Sequence, residues 1–418
     1  IFLLYESIYP CRMTKDSYTI KYRASLSLVA ALGGLLFGYD RGVIGGAKPF
    51  YEQIFPLAGT PALQGRAMSC ARVGCILGTL LSGFLAGRFG RKKLLILASL
   101  LFLLSAAGTG ASKDFTMFIA YRILGGVGIG LASNLSPVYI AEVAPARQRG
   151  RFVALNQLTI VSGILLAQII NWLIAEPVPD DAPGNFILNS WNGQKGWRHM
   201  FWAELVPAAV FFLCMWLVPE SPRWLVKKGH TERAKRILSR IGGTSYAEAI
   251  YKEIGASLDP GQTKSRDSVL SKSVLPIVVI GIVLALFQQW CGINVIFLYA
   301  EEVFTAAGYS VSDMLFNVMI TGSVNLIFTY VALGLVDRIG RKKLMLMGAG
   351  GLAVIYTIVG TLYHTGSTGL PLLIFVVAAI ACYGMTLAPV TWVVLSEIFP
   401  NRVRGKAMAV ATFALWSG

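Results

Sequence analysis

Ten apolar runs, each close to the ~20 residues needed to cross a hydrocarbon core, recur along this chain and constrain its fold more than any other feature. They cover 24–47, 70–87, 94–112, 115–139, 152–175, 199–218, 274–299, 314–336, 344–364 and 371–395. An eleventh begins at Lys406 and runs to Gly418. Segments of this length cross lipid as helices, because an open strand would leave its backbone polar groups without partners. Composition agrees: 55% of the 418 residues are hydrophobic and 14% charged, against roughly 25% charged in soluble domains. An all-α, polytopic membrane protein is expected.

The formal net charge of +16 suggests a nucleic-acid partner until its distribution is considered. Assigning alternate loops to one side brings together Arg12, Lys15, Lys21, Arg23 and the basic clusters at 88–93, 147–151, 223–272, 338–343 and 402–406. The opposite loops carry Glu176, Asp180, Asp181, Glu301, Glu302 and Asp313. Lys and Arg are retained on the cytoplasmic side. The N-terminus and the 219–273 loop are therefore expected in the cytosol, in a plasma or bacterial inner membrane, and no nucleic-acid partner is implied. The six cysteines (11, 70, 75, 214, 291 and 382) form no CxxC pair and read as small core residues. With three histidines and no HExxH or Cys/His spacing, neither a metal nor a cofactor is expected. The opening IFLLYESIYPCR lacks a cleavage site after a long apolar core and is not read as a signal peptide. Met13 reads as the natural start, with residues 1–12 an upstream extension.

Two of the runs centre a charge. Asp40 lies within LVAALGGLLFGYDRGVIGGA (28–47), and Arg122 lies in the run that opens FTMFIAYRILGGVGIG (115–130). A charge at bilayer depth costs at least roughly 2.5–3.5 kcal/mol, and an acid and a base on two helices remove each other's desolvation cost. The pair reads either as a structural ion pair or as a protonation switch, paired when the acid is ionised and released when it is neutral. Burial favours the neutral acid and a guanidinium favours the ionised one, while Arg stays charged throughout.

The chain also repeats itself. GFLAGRFGRKK (83–93) returns as LGLVDRIGRKK (333–343), each between the second and third helices of a half. PVYIAEVAPARQR (137–149) is echoed by PVTWVVLSEIFPNRVR (389–404), with Glu142 and Glu397 each seven residues before Arg149 and Arg404. After a tail at 1–23, two halves at 24–218 and 274–418 are expected, joined by the polar linker 219–273. Within that linker, TERAKRILSRIG and YAEAIYKEIG have the spacing of short amphipathic surface helices. Such repeats mark transporters that rock two bundles around a central site.

These residues carry a family resemblance. FGYDRGVIGGA, YRILGGVGIG, the two R-x-G-R-K loops, PESPRWL (219–225), QQWCGIN (288–294) and LSEIFPNRVRGKA (395–407) follow the order of signatures in the sugar porter family of the major facilitator superfamily. The pattern is most similar to that of bacterial proton-coupled xylose symporters. The resemblance implies two pseudo-symmetric six-helix bundles, twelve helices in all, of which this sequence would lack the end of the eleventh and the twelfth. It also implies a monosaccharide and a proton as cargo, function as a monomer, and no enzymatic activity.

A sugar presents hydroxyls in every direction around weakly apolar faces, so its site calls for amides that both donate and accept, and for an aromatic plate. The seventh span supplies Gln288, Gln289 and Asn294 in an otherwise apolar run, with Gly292 a place for the helix to bend or break. Gln157 in the fifth span, Asn325 in the eighth and Trp392 in the tenth join them. The resemblance puts each of these where the family contacts its sugar; a lone intramembrane amide is otherwise interhelical glue. Leu298 replaces the first of the family's two tyrosines, leaving Tyr299. Leu415 falls where a polar residue is common, and TLAP (386–389) stands where a Trp-Gly-Pro stretch is usual, so a drier pocket is expected.

Other features have competing readings. GGVGIG (125–130) follows no strand and lies inside a span, so it reads as close helix packing through Gly126 and Gly130 rather than a phosphate cradle. Glu204 reads as structural or interfacial before it reads as a second proton site. Pro207, Pro276 and Pro389 mark expected kinks.

By resemblance, Asp40 and Arg122 couple the proton: sugar binding draws Arg122 away and the buried acid takes a proton. Facilitative relatives carry a neutral residue at the position of Asp40. Many relatives have Thr where this chain has Arg41, a second cation that favours the ionised acid. The resemblance assigns a cytoplasmic salt-bridge gate to Arg88, Arg91, Glu142, Arg149, Glu220, Arg223, Asp337, Arg338, Arg341, Glu397 and Arg404. Gly87 stands where the first repeat would have an acid, whereas Asp337 keeps it in the second, so a looser N-terminal gate is expected. The rival readings are a proton-independent uniporter and a sugar sensor. A membrane enzyme would need a nucleophile and a base at bilayer depth, and no such constellation is visible.

Overall fold

A computed structural model describes residues 17–55, 57, 60–145, 149–179, 186–258, 271–298, 303, 310–366, 369–400 and 403–418, and among these every regular element is helical. The first five spans are Ser17–Ile54, Pro61–Phe89, Arg91–Ala111, Phe115–Val143 and Arg149–Ile174. The sixth runs from a π turn, Asn192–Gly196, through Trp197–Trp202 into Leu205–Leu217. The seventh comprises Leu275–Trp290 and Ile293–Leu298, the eighth Val311–Ile339 and the ninth Arg341–His364. The tenth is Leu370–Met385 followed by Leu387–Ile398, and the eleventh is Arg404–Ser417. Nine stretches among the described residues are long and apolar enough to cross a bilayer. The seventh span falls short because its first piece stops at Trp290.

Local chemistry sets these boundaries. Asp114 caps the fourth span by accepting from Met117 N at 2.8 Å, and Ser310 caps the eighth by accepting from Asp313 N at 3.2 Å. Gly90 and Gly340 end the second and eighth spans at φ of 90° and 88°, a region glycine enters freely and other residues do not. They occupy the same place in the two copies of the basic loop, so the repeat seen in sequence is also a repeat of backbone geometry. Gly292, at φ of 83°, breaks the seventh span beside the Gln288–Asn294 amides. Pro276 corrects one expectation. It is the second residue of its helix, where a missing N–H costs nothing, and it starts the helix rather than kinking it. Pro207 and Pro389 lie just past the breaks in the sixth and tenth spans.

The glycines of the fourth span bring it against the second at backbone distance. A Cβ on Gly126 would overlap the Ala71 carbonyl, and one on Gly130 the Cys75 carbonyl; this is the small-residue packing expected in lipid. Gly130→Leu is therefore expected to destabilise the protein by about 1–3 kcal/mol or more, as overpacking does. Thermal unfolding in detergent checks this, and an unchanged midpoint would show that the two helices are not locked together here.

The first and fourth spans run through the N-terminal core, between a cluster holding Phe102, Tyr139 and Phe211 and an aromatic one holding Tyr51, Phe118 and Trp197. Among the described residues the halves meet at several places. Gly322 of the eighth span abuts Gln168 of the fifth, Gly83 of the second abuts Ala409 of the eleventh, and Phe37 meets Trp416 edge-on at 5.3 Å. The linker forms Pro222–Lys227, Thr231–Gly242 and Thr244–Leu258, matching the two expected amphipathic helices. Arg23 Nε ties it to the first span by donating to the Ile241 carbonyl at 2.5 Å.

Candidate functional site

Asp40 and Arg122 meet in the middle of the N-terminal half. Arg122 Nη1 donates to Asp40 Oδ1, and the two residues are 2% and 4% exposed for Arg122 and Asp40 respectively. The Arg122 guanidinium also lies over the Phe201 ring, 5.7 Å from its centroid. Glu204, buried at the break in the sixth span, is close enough to interact electrostatically with both members of the pair. This acid–base pair borders a cavity.

The predicted amides assemble around a second cavity. Gln157, Gln288, Gln289, Asn325 and Trp392 all line it. Asn294 does not. It holds Gln289 instead, its Nδ2 donating to Gln289 Oε1 at 2.6 Å. Gln289 Nε2 in turn donates to Gln288 Oε1 at 2.8 Å, and Gln288 Nε2 to the Tyr383 hydroxyl at 2.6 Å. The break at Gly292 lets Asn294 fold back on Gln289, and the relay fixes both glutamines. Gln157 Oε1 and Asn325 Oδ1 are buried acceptors with no hydrogen-bond partner among the described residues. The remaining wall includes Ile160, Val161, Ile164, Ile293 and Leu415.

The two cavities share Phe37, Arg41 and Gln289, so the ion pair and the amides flank one central region. Sequence reading missed Tyr383, Trp416 and Arg72 as wall residues. Arg72 carried a signal: it is a charge in the body of the second span. The apolar run there begins at 70, which puts Arg72 near its edge, whereas the helix begins at Pro61. Tyr299 lies outside the described residues, as do the side chains of Leu298, Arg149 and Asp337.

At the basic end, Arg91 Nη2 pairs with Glu142 Oε1 at 2.8 Å, and Arg341 Nη2 with Glu397 Oε1 at 3.1 Å. These are the same pair in the two repeats, and each joins helices of one half. Glu220 Oε1 accepts from the backbone of Arg91, Lys92 and Ser221 at 2.9, 3.1 and 2.8 Å, capping the third span. Ser221 Oγ donates to Glu142 Oε2 at 2.6 Å, so linker and bundle share one network. Arg223 opens the short Pro222–Lys227 helix, and Arg404 Nε donates to the Phe399 carbonyl at 3.3 Å. Arg88 and Arg338 are exposed. Neither forms an ion pair among the described residues, and Arg88 lies over the Phe89 ring at 5.5 Å.

Two repeated sets of membrane helices around a central polar cavity define a membrane carrier. Residues 26–418 match the family described as Sugar (and other) transporter, and the chain belongs to that family. It is 41% identical over 423 residues to the D-xylose-proton symporter of Escherichia coli (strain K12), covering 96% of this chain and 84% of that one. It is 38% identical over 401 residues to the arabinose-proton symporter of Bacillus subtilis (strain 168), covering 96% and 84%. Among solved structures it resembles the major facilitator superfamily proton:xylose symporter XylE bound to 6-bromo-6-deoxy-D-glucose. The TM-score is 0.84 at 40% identity, covering 96% of this chain and 87% of that one. The protein therefore has the all-α major facilitator fold and is a multi-pass membrane transporter, not an enzyme.

Proposed function

We propose that the protein imports a monosaccharide together with a proton by alternating access, working as a monomer with its N-terminus and basic end in the cytoplasm. The observation that carries this reading is that the cavity beside the buried Asp40–Arg122 pair and the cavity walled by Gln157, Gln288, Gln289, Asn325 and Trp392 share Phe37, Arg41 and Gln289 in their linings. The unpartnered oxygens of Gln157 and Asn325 accept sugar hydroxyls, the glutamine relay both donates and accepts, and Trp392 faces the ring. Asn294 positions Gln289 rather than touching the sugar. Asp40 pairs with Arg122 and takes the proton when Arg122 is drawn away. Sugar and proton then favour each other's binding by the same factor, as linkage requires.

Proton movement separates this reading from a uniporter. Adding the transported sugar to de-energised cells that express the protein is expected to alkalinise the medium. Sugar entry with no change in external pH would leave a facilitator.

The basic-end network biases which side is open. Glu397→Gln removes the Arg341 partner and is expected to shift the population toward the form open at the basic end. The pair is half-exposed, with side chains 34% and 45% accessible for Arg341 and Glu397, so it contributes about 0–1 kcal/mol, a population change of up to about fivefold. Distances between spin labels on the basic ends of the two halves check this, and an unaltered distribution would remove Glu397 from the gate.

A further inference from the structure

Three guanidinium groups, from Arg41, Arg72 and Arg122, line the cavity beside the ion pair, and its wall contains one carboxylate, Asp40. Arg122 takes that carboxylate. Neither Arg41 nor Arg72 has a hydrogen bond or ion pair among the described residues, and each is partly exposed. Successive helical residues point about 100° apart, so Asp40 turns toward Arg122 while Arg41 turns toward the C-terminal half. There it lines both cavities, beside Gln289, Ile293 and Phe297. Arg72 lines the same cavity from the second span, one turn from Met68 and Cys75, close enough to Arg41 for the two like charges to interact. Glu204 does not compensate them. It reaches Asp40 and Arg122, does not line either cavity, and is not among the charges acting on Arg41.

Unpaired arginines at bilayer depth are rare and mark substrate paths, and a guanidinium fork suits carboxylate or phosphate above all other partners. The geometry points to a sugar that bears an anionic substituent, its hydroxyls on the amide wall and its carboxylate or phosphate between Arg41 and Arg72. This assignment rests on the transporter reading and specifies the substrate class at the same site. A bound anion would neutralise Arg41 and Arg72, which line the same cavity as Asp40, so anion and proton share one site.

The test is calorimetric binding to the purified full-length protein of D-glucuronate, D-galacturonate, D-gluconate and D-glucose 6-phosphate, against D-glucose, D-galactose and D-xylose. At least one anionic sugar is expected to bind tenfold or more tightly than its neutral counterpart. Arg41→Gln and Arg72→Gln should each reduce that preference at least tenfold, and Arg41→Lys should restore part of it. The carboxylate and phosphate arms decide which anion is taken. Tighter or equal binding of the neutral sugars overturns the anionic assignment and leaves sugar transport standing, as does a preference for anions that survives both glutamine variants. If no probe of either kind binds, the sugar-carrier reading fails with it. The wild-type comparison decides the matter even where a variant does not fold.

Discussion

Asp40→Asn is expected to abolish concentrative uptake while sparing sugar binding and downhill exchange. Asparagine has the shape of the protonated acid and cannot give the proton up. With no titrating group at the first span, proton and sugar are no longer linked, and the internal-to-external ratio of sugar should fall to about one under any imposed pH gradient. The substitution also leaves Arg122 without its carboxylate in a buried place, which costs roughly 3–5 kcal/mol when a buried pair is broken. A lowered melting temperature should therefore accompany the loss of coupling. An Asn variant that still concentrates sugar would make the Asp40–Arg122 contact a purely structural one, and Glu204, buried beside it, would become the next proton site to test.

Gln288→Ala and Trp392→Ala are expected to weaken sugar binding by about 1–3 kcal/mol each, roughly fivefold to 150-fold. Gln288 has the wider effect because it lies at the centre of the relay. It donates to the Tyr383 hydroxyl at 2.6 Å and accepts from Gln289 at 2.8 Å, so its removal unties two wall residues as well as one sugar contact. Calorimetry with the best-bound sugar reads both effects. Unchanged affinity in both variants would remove the amide cavity from the binding site.

The helical architecture was legible because lipid allows few alternatives: a run of apolar residues of bilayer length has to satisfy its own backbone. The repeat was legible for a related reason, since Gly90 and Gly340 supply the same unusual backbone turn in both copies. The Asp40–Arg122 contact could be inferred from desolvation cost alone. What sequence spacing did not reveal was how helix breaks aim side chains. Asn294, five residues from Gln289, reads equally well as a wall residue, and only the turn at Gly292 makes it a support for Gln289. The roles of Arg41 and Arg72 depended on rotation and depth. Arg41 read as a modifier of its chain neighbour Asp40, yet the helix turns it toward the amide cavity. Arg72 escaped notice because its helix starts at Pro61, nine residues before the apolar run that begins at 70, so it sits deeper in the span than that run suggests.

The central claim is that one region between the halves binds sugar and proton together. Its most direct test is uptake of the best-bound labelled sugar by proteoliposomes of the full-length protein, with and without an acid-outside pH gradient. One proton per sugar allows up to about tenfold accumulation per pH unit, since each unit is worth 1.36 kcal/mol. The account predicts a transient overshoot, with internal sugar several times the external concentration, when the gradient is imposed, and approach to equality when it is not. The same plateau under both conditions, with entry still saturable, would contradict proton coupling and leave a facilitator.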